Sequence, residues 1–149
     1  MPEFVDTSPP GQCIFCRLIA GEIPASRVYE DDVTLAFLDL AQLNPGHALV
    51  TIKRHADTLL DLTPDEAAAA MRTAHRVAQG IRKAFDPPGL TLLQCNGVEG
   101  GQTVGHFHIH VVPRFADDGV GLVWPRKDPP REVMEATAAR LRDALAVFA

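Results

Sequence analysis

Residues 106–112 read HFHIHVV. A strand sends alternate side chains to opposite faces, so an extended 106–112 puts His106, His108 and His110 on one face and Phe107 and Ile109 on the other. Half of the six histidines fall in this stretch, which is poor material for a core. A solvated polar face is the bland reading. A metal site is the next, but alternate positions on one strand spread the rings over roughly 13 Å. One ion is ill placed to bind all three, and catalysis by one ring supported by its neighbours is the more economical reading.

The loop before this strand, NGVEGGQTVG at 96–105, is rich in glycine. Glycines let successive amides turn inward as an anion nest, and Gln102 and Thr103 add side-chain donors. Alone, such a loop is equally a flexible turn. Beside a histidine strand it points to a phosphate held next to a nucleophile.

Further out, the periodicities predict the fold. LTLLQC at 90–95 reads as a strand, and Pro87-Pro88-Gly89 ends a helix. Thr63 caps that helix, Pro64 suits its first position and Glu66 completes a capping box. Its apolar stripe runs through Ala67, Ala70, Met71, Ala74, Val77, Ala78, Ile81 and Phe85. VTLAFLDL (33–40) and HALVTIK (47–53) flank the turn Asn44-Pro45-Gly46 and predict an antiparallel hairpin. CIFCRLIA (13–20) predicts a two-turn helix, and 131–148 a last helix with Val133, Met134, Leu141, Leu145 and Phe148 inward. Hairpins with a single long crossover predict an α+β fold: a five-stranded, mainly antiparallel sheet with one long and one C-terminal helix.

The chain has 149 residues, enough for one domain, with residues 1–12 expected as a loose tail and 13–149 as that domain. Lys and Arg total 14 against 19 Asp and Glu, a formal charge of −5, which argues against a nucleic-acid polymer as partner. The N-terminus lacks the basic start and apolar core of a signal peptide. No apolar run approaches the roughly 20 residues of a membrane span. The expected setting is the cytoplasm, away from membranes. The cysteines number three, an odd count that fits reducing conditions better than a disulfide framework. Cys13 and Cys16 have C-x-x-C spacing, which suits zinc if two histidines complete the tetrahedron, or small apolar side chains packed in a short helix.

GQTVGHFHIHVVPR at 101–114 resembles the signature of the histidine triad (HIT) superfamily. The likeness continues through CIFCRLIAGEIPASRVYEDD, LAFLDLAQLNPGHALVTIKRH and LTPDE, over about residues 13–115, and is closest to the bacterial-type branch. It implies a homodimer with a HIT-like fold that hydrolyses or transfers a purine nucleoside monophosphate through a nucleotidyl-histidine intermediate. By the same resemblance His108 attacks the α-phosphorus, and His110 and Thr103 donate to phosphate oxygens or the leaving group. Gln102 and Asn96 hold oxygens that gain charge, His106 borders the phosphate, and His47 supports the triad. Asp39 receives the ribose hydroxyls, and Phe15, Leu18, Phe37 and Leu40 line the base pocket or simply fill the core. Distantly similar uridylyltransferases imply a closed, structural zinc on Cys13, Cys16, His55 and His106. No organic cofactor is needed. The implied activity is phosphoramidase or nucleotidyl hydrolase; cleavage of dinucleoside polyphosphates, or a nucleotide-binding scaffold with little turnover, are the rival readings. Gly105 and Thr103 depart from commoner family residues at their positions.

Overall fold

Thr63-Pro64-Asp65-Glu66 starts the longest element for a local reason. The Glu66 amide donates to the Thr63 hydroxyl (3.1 Å) and the Thr63 amide to the Glu66 carboxylate (2.9 Å), so two otherwise orphaned helix-end donors are satisfied reciprocally. Helix α2 then runs Pro64–Phe85 and ends at Asp86, in the left-handed region at φ 46°. The computed structural model describes residues 5–148. Arg54 grips the Glu66 carboxylate through Nε (2.9 Å) and a terminal nitrogen (2.8 Å). With the Thr63 amide, that holds its pKa down to about 2.

The strands are β1 (Arg27–Glu30), β2 (Thr34–Leu38), β3 (Ala48–Ile52), β4 (Gly89–Gln94) and β5 (His108–Arg114). They form one sheet in the order β1-β2-β3-β5-β4, every neighbouring pair antiparallel. On one face Ala36, Val50, Ile52, Phe107, Ile109 and Val111 pack with Ala70, Ala74, Val77 and Ile81 of α2 into one buried cluster. Two of these four helix residues are alanine, which lets the helix lie close to the sheet. The other face carries Leu35, Phe37 and Leu49, packed with Cys13, Phe15 and Leu18 on or next to α1 (Ile14–Ile19). A period of two assigns those faces, and continues onto Asp39 and His47 just beyond the strand ends.

Two local expectations are corrected. Strand β5 starts at His108 rather than 106, because the His106 amide donates to Val104 O (2.8 Å) and the Phe107 amide to Ala56 O (2.8 Å) instead of a ladder. Pro113 lies inside β5 rather than stopping it. Pairing with β3 ends at Ala48–Val111, so beyond Val111 the strand has a neighbour on the β4 side only and tolerates a residue without an amide proton.

The chain divides into two compact units, residues 1–119 and 120–149, where its length suggested one domain from residue 13 onward. The second unit contains α3 (Arg131–Leu145), which buries none of its residues. Val133, Met134, Leu141, Leu145 and Phe148, expected inward, are exposed. One helix behind a proline-rich lead-in has no second layer within its own unit to cover its stripe. The tail expected at 1–12 begins with four residues outside the described ones; Asp6, farther along it, is fixed by hydrogen bonds to Thr103 and Gly105. No helix among the described residues is long and apolar enough to cross a membrane.

Candidate active site

The β2–β3 turn brings Asp39 and His47 together. The Asp39 amide donates to His47 O (3.0 Å), and the Gln42 carboxamide donates to the carbonyls of Asp39 (2.5 Å) and His47 (2.7 Å) while accepting from the Gly46 amide (2.9 Å). Gly46 has φ 102°, a left-handed backbone that favours glycine, and a Cβ there would lie 2.8 Å from the Phe85 ring. Gln42 is a site-building residue that the sequence reading missed. It lies in a turn and carries no chemistry-bearing pattern.

Beneath the turn lies a cavity of about 550 Å³. Phe15, Leu18 and Phe37 give it an apolar lining, with Leu40 exposed at its margin, and Asp39, Thr103, His108 and His110 add polar groups. Phe15 meets Phe37 edge-on at 5.3 Å between ring centroids and His108 at 5.0 Å, so the apolar lining touches the histidine strand. His47, His106, Asn96 and Gln102 do not line this cavity.

Hydrogen-bond partners assign the imidazole tautomers. His108 Nδ1 donates to His106 O (2.7 Å), which leaves the lone pair on Nε2. The Leu43 amide donates to His47 Nδ1 (3.2 Å), so His47 carries its proton on Nε2 and donates to His110 Nδ1 (2.9 Å). The His110 proton is therefore on Nε2. Asp39 Oδ2 lies 3.5 Å from His47 Nε2 and 3.8 Å from His110 Nδ1, while its Oδ1 accepts from the Ala41 amide (2.9 Å). Asp39, His47 and His110 are close enough to hold a cation. The Leu43 amide argues otherwise, since it occupies the His47 nitrogen that would have to be protonated for Nε2 to act as a ligand. His47 and His110 are joined by a hydrogen bond, with the Asp39 carboxylate beside it. Burial lowers the pKa of His108, of His47 and of His110, the last to about 3 with the neighbouring His108 and His47 adding to the effect. All three rings are neutral near pH 7, the state in which His108 Nε2 is a nucleophile.

The glycine loop differs from the expected nest. The Gly100 and Gln102 amides donate to Gly97 O and the Gly101 amide to Val98 O, so these donors close the loop on itself. Gln102 is a correction: its buried carboxamide accepts from the Gly97 amide (2.7 Å) and donates to Asp57 O (2.6 Å) and Val104 O (2.9 Å), which organises the loop and leaves nothing for an oxyanion. Asn96 is likewise engaged, accepting from the Leu59 amide (2.7 Å) and pairing with Gln94. Thr103 and Val104, rather than the glycines, reach the cavity.

His106 turns away from the phosphate region it was expected to border, because it precedes the strand. Its Nδ1 faces Cys13 Sγ (3.4 Å) and Cys16 Sγ (3.5 Å), and its Nε2 donates to Ile52 O (2.6 Å). His55 Nδ1 lies 3.6 Å from Cys13 Sγ and 3.2 Å from Cys16 Sγ, while its Nε2 is 2.7 Å from the Asp57 carboxylate. A tetrahedral zinc with bonds of about 2.3 Å to sulfur and 2.0 Å to nitrogen separates S and N by about 3.5 Å. The four residues fit. Both rings aim a lone pair inward and anchor the other nitrogen on an oxygen, the outer support that zinc-bound histidines need. Burial raises the Cys13 thiol to about 11 and lowers His106 to about 4, so without a cation these two groups face one another uncharged.

A family model described as the HIT domain matches residues 20–117. The protein hit of Bacillus subtilis is 44% identical over 113 residues, covering 75% of this chain and 78% of its own length. An adenosine 5'-monophosphoramidase of Schizosaccharomyces pombe is 37% identical, over 76% of this chain and 83% of its own. The crystal structure of a HIT family protein from Bacillus anthracis superposes with a TM-score of 0.87 at 38% identity, covering 91% of this chain and 99% of that one. A zinc-bound histidine triad family protein from Mycobacterium smegmatis superposes with a TM-score of 0.71 at 35% identity, covering 89% and 97%. With the family model spanning the sheet and both histidine clusters, the chain belongs to the HIT-domain family of histidine triad proteins.

Proposed function

We propose that the protein is a phosphoramidase or nucleotidyl hydrolase that cleaves at the α-phosphate of a purine nucleotide through a nucleotidyl adduct on His108. The observation that carries this reading is the His108 tautomer: a buried imidazole tied through Nδ1 to a backbone carbonyl, with a free lone pair on Nε2 facing a nucleotide-sized cavity. Nε2 attacks phosphorus, and the bond from phosphorus to the leaving group breaks. The departing nitrogen or oxygen leaves with a proton taken up from solvent, His110 Nε2–H donates a hydrogen bond to it, and the hydrogen bond from His47 orients the His110 ring. Water then attacks phosphorus, the bond from phosphorus to His108 Nε2 breaks, the water's proton passes to solvent, and the monophosphate and free His108 are released. The Thr103 hydroxyl donates to a phosphate oxygen. The Asp39 carboxylate suits a vicinal diol of ribose, and Phe15, Leu18, Phe37 and Leu40 suit the base.

Among the described residues no Lys or Arg lines the cavity. A polyphosphate leaving group would find no countercharge there, whereas a neutral amine needs only a proton. This favours P–N bonds over dinucleoside polyphosphates. Side-by-side turnover of adenosine 5'-phosphoramidate, AMP-lysine and a diadenosine polyphosphate tests it. The first two are expected to show kcat/KM at least about tenfold higher, ~1.4 kcal/mol of transition-state preference. The reverse order would favour the polyphosphate reading, and negligible rates on all three a binding module.

Cys13, Cys16, His55 and His106 fit a structural zinc with all four positions filled by protein, so that when bound it supplies a cross-link rather than an open coordination site. The free thiols of Cys13, Cys16 and Cys95 suit a reducing, cytoplasmic setting. We also propose a homodimer. Edge strand β4 exposes Leu90 and Leu92, and α2 exposes Met71 and Phe85, apolar surface that a two-fold partner would cover on both copies. Sedimentation equilibrium at micromolar concentration should give twice the chain mass; a persistent single-chain mass would refute the dimer.

A further inference from the structure

From a segment that composition marks as loose tail, we infer that Asp6 is a positioning residue for the reaction proposed above, on which the inference rests. Its main chain forms a parallel bridge to Val104: the Asp6 amide donates to Thr103 O (2.7 Å) and the Gly105 amide to Asp6 O (2.7 Å). Its carboxylate faces another way, accepting from the Ile14 amide in the first turn of α1 (2.9 Å) and from the Ser8 amide (2.9 Å). One residue thus ties together two walls of the same cavity. Thr103 and Val104 belong to the phosphate side, and Ile14 and Phe15 to the apolar side.

The strut also approaches the chain leading into the nucleophile. Gly105 precedes His106, whose carbonyl receives the His108 Nδ1 proton. A Cβ at Gly105 would sit 3.3 Å from Asp6 O and 3.7 Å from Thr7 Cα, so the tail runs tightly across this point. Gly105 has no left-handed backbone, so the crossing strand rather than its own φ restricts the residue there. Asp6 does not line the cavity. It acts by fixing Thr103 relative to Phe15 and the turn that aims His108.

Asp6→Ala removes the carboxylate while leaving the backbone bridge possible, and Asp6→Asn keeps one acceptor. Measured per active site, kcat should fall about tenfold in Asp6→Ala, since small misplacements of reacting groups are costly. AMP binding should stay within twofold, and Asp6→Asn should recover most of the loss. Gly105→Val, which displaces the strut from the other side, should lower kcat in the same way. A second readout needs no substrate: the His108 Nδ1 proton, buried against a carbonyl, should give a slowly exchanging imidazole resonance that broadens in Asp6→Ala. Asp6→Ala with unchanged kcat per site and an unchanged resonance would overturn the inference, even if its melting temperature fell. Weakened AMP binding with unchanged kcat would also overturn it. If the wild type turned over no nucleotide, the proposed reaction would fail while the resonance still decided whether Asp6 positions His108.

Discussion

His108→Ala is expected to lower kcat by about 10³-fold or more, a loss of ~4 kcal/mol of transition-state stabilisation, while AMP binding stays within a few fold. The two halves of this expectation have separate physical sources. No other imidazole in the cavity offers a free lone pair in the same place: His110 Nδ1 is occupied by the His47 proton, and His106 points to the cysteine cluster. Truncation of His108 therefore removes the attacking atom, and water must attack phosphorus directly. Phe15, Leu18 and Phe37, with Asp39, remain in place, so the affinity proposed to come from them for base and ribose persists. Side-by-side kcat and AMP titration check both halves. A mutant retaining more than a few per cent of wild-type turnover would remove His108 from the role of nucleophile.

The second large effect is on stability. Protein prepared without chelator is expected to contain about one zinc per chain, and Cys13→Ser is expected to lose it. The site joins three stretches distant in sequence: the start of α1, His55 after β3, and His106 before β5. Removing a sulfur ligand dissolves that link and leaves Cys16, His55 and His106 partly buried without it. The cost is several kcal/mol, of which ~3 already lowers the melting temperature by roughly 10 °C. Metal analysis and thermal melting of both proteins test this. Zinc-free wild type, or a Cys13→Ser protein that keeps metal and melting temperature, would contradict it and leave the His108 chemistry untouched.

Legibility in the sequence followed the range of the interactions. Helix α2 was readable to within a residue because its start is fixed by Thr63 and Glu66, three positions apart, and its end by a proline pair. The hairpin and the α+β class were readable from periodicity and one turn. Asp39, His47, His108 and His110, named from motif, converge because His108 and His110 alternate on one face of β5 and the same period continues onto Asp39 and His47 just beyond the ends of β2 and β3. What escaped was set by partners far along the chain. Gln102 looked like a ligand until Gly97, Asp57 and Val104 claimed its carboxamide. For His106 the phosphate-side place escaped: capture of its amide by Val104 delays the strand, and its ring faces Cys13 and Cys16, the partners that the resemblance implies for it. Asp6 looked like tail because nothing nearby in sequence records its bridge to Val104. The stripe expected inward on α3 has nothing over it within its own unit, since periodicity reports a face and not what lies against it.

The central claim is a covalent nucleotide on one nitrogen of one histidine. Its direct measurement is rapid quenching of wild-type protein during turnover of labelled adenosine 5'-phosphoramidate, followed by peptide mass spectrometry under mildly alkaline conditions that preserve phosphoramidates. The account predicts an acid-labile adenylyl group on His108, absent from His108→Ala. Steady turnover with an adduct on another residue, or with no adduct under conditions that trap a synthetic adenylyl-imidazole standard, would contradict it.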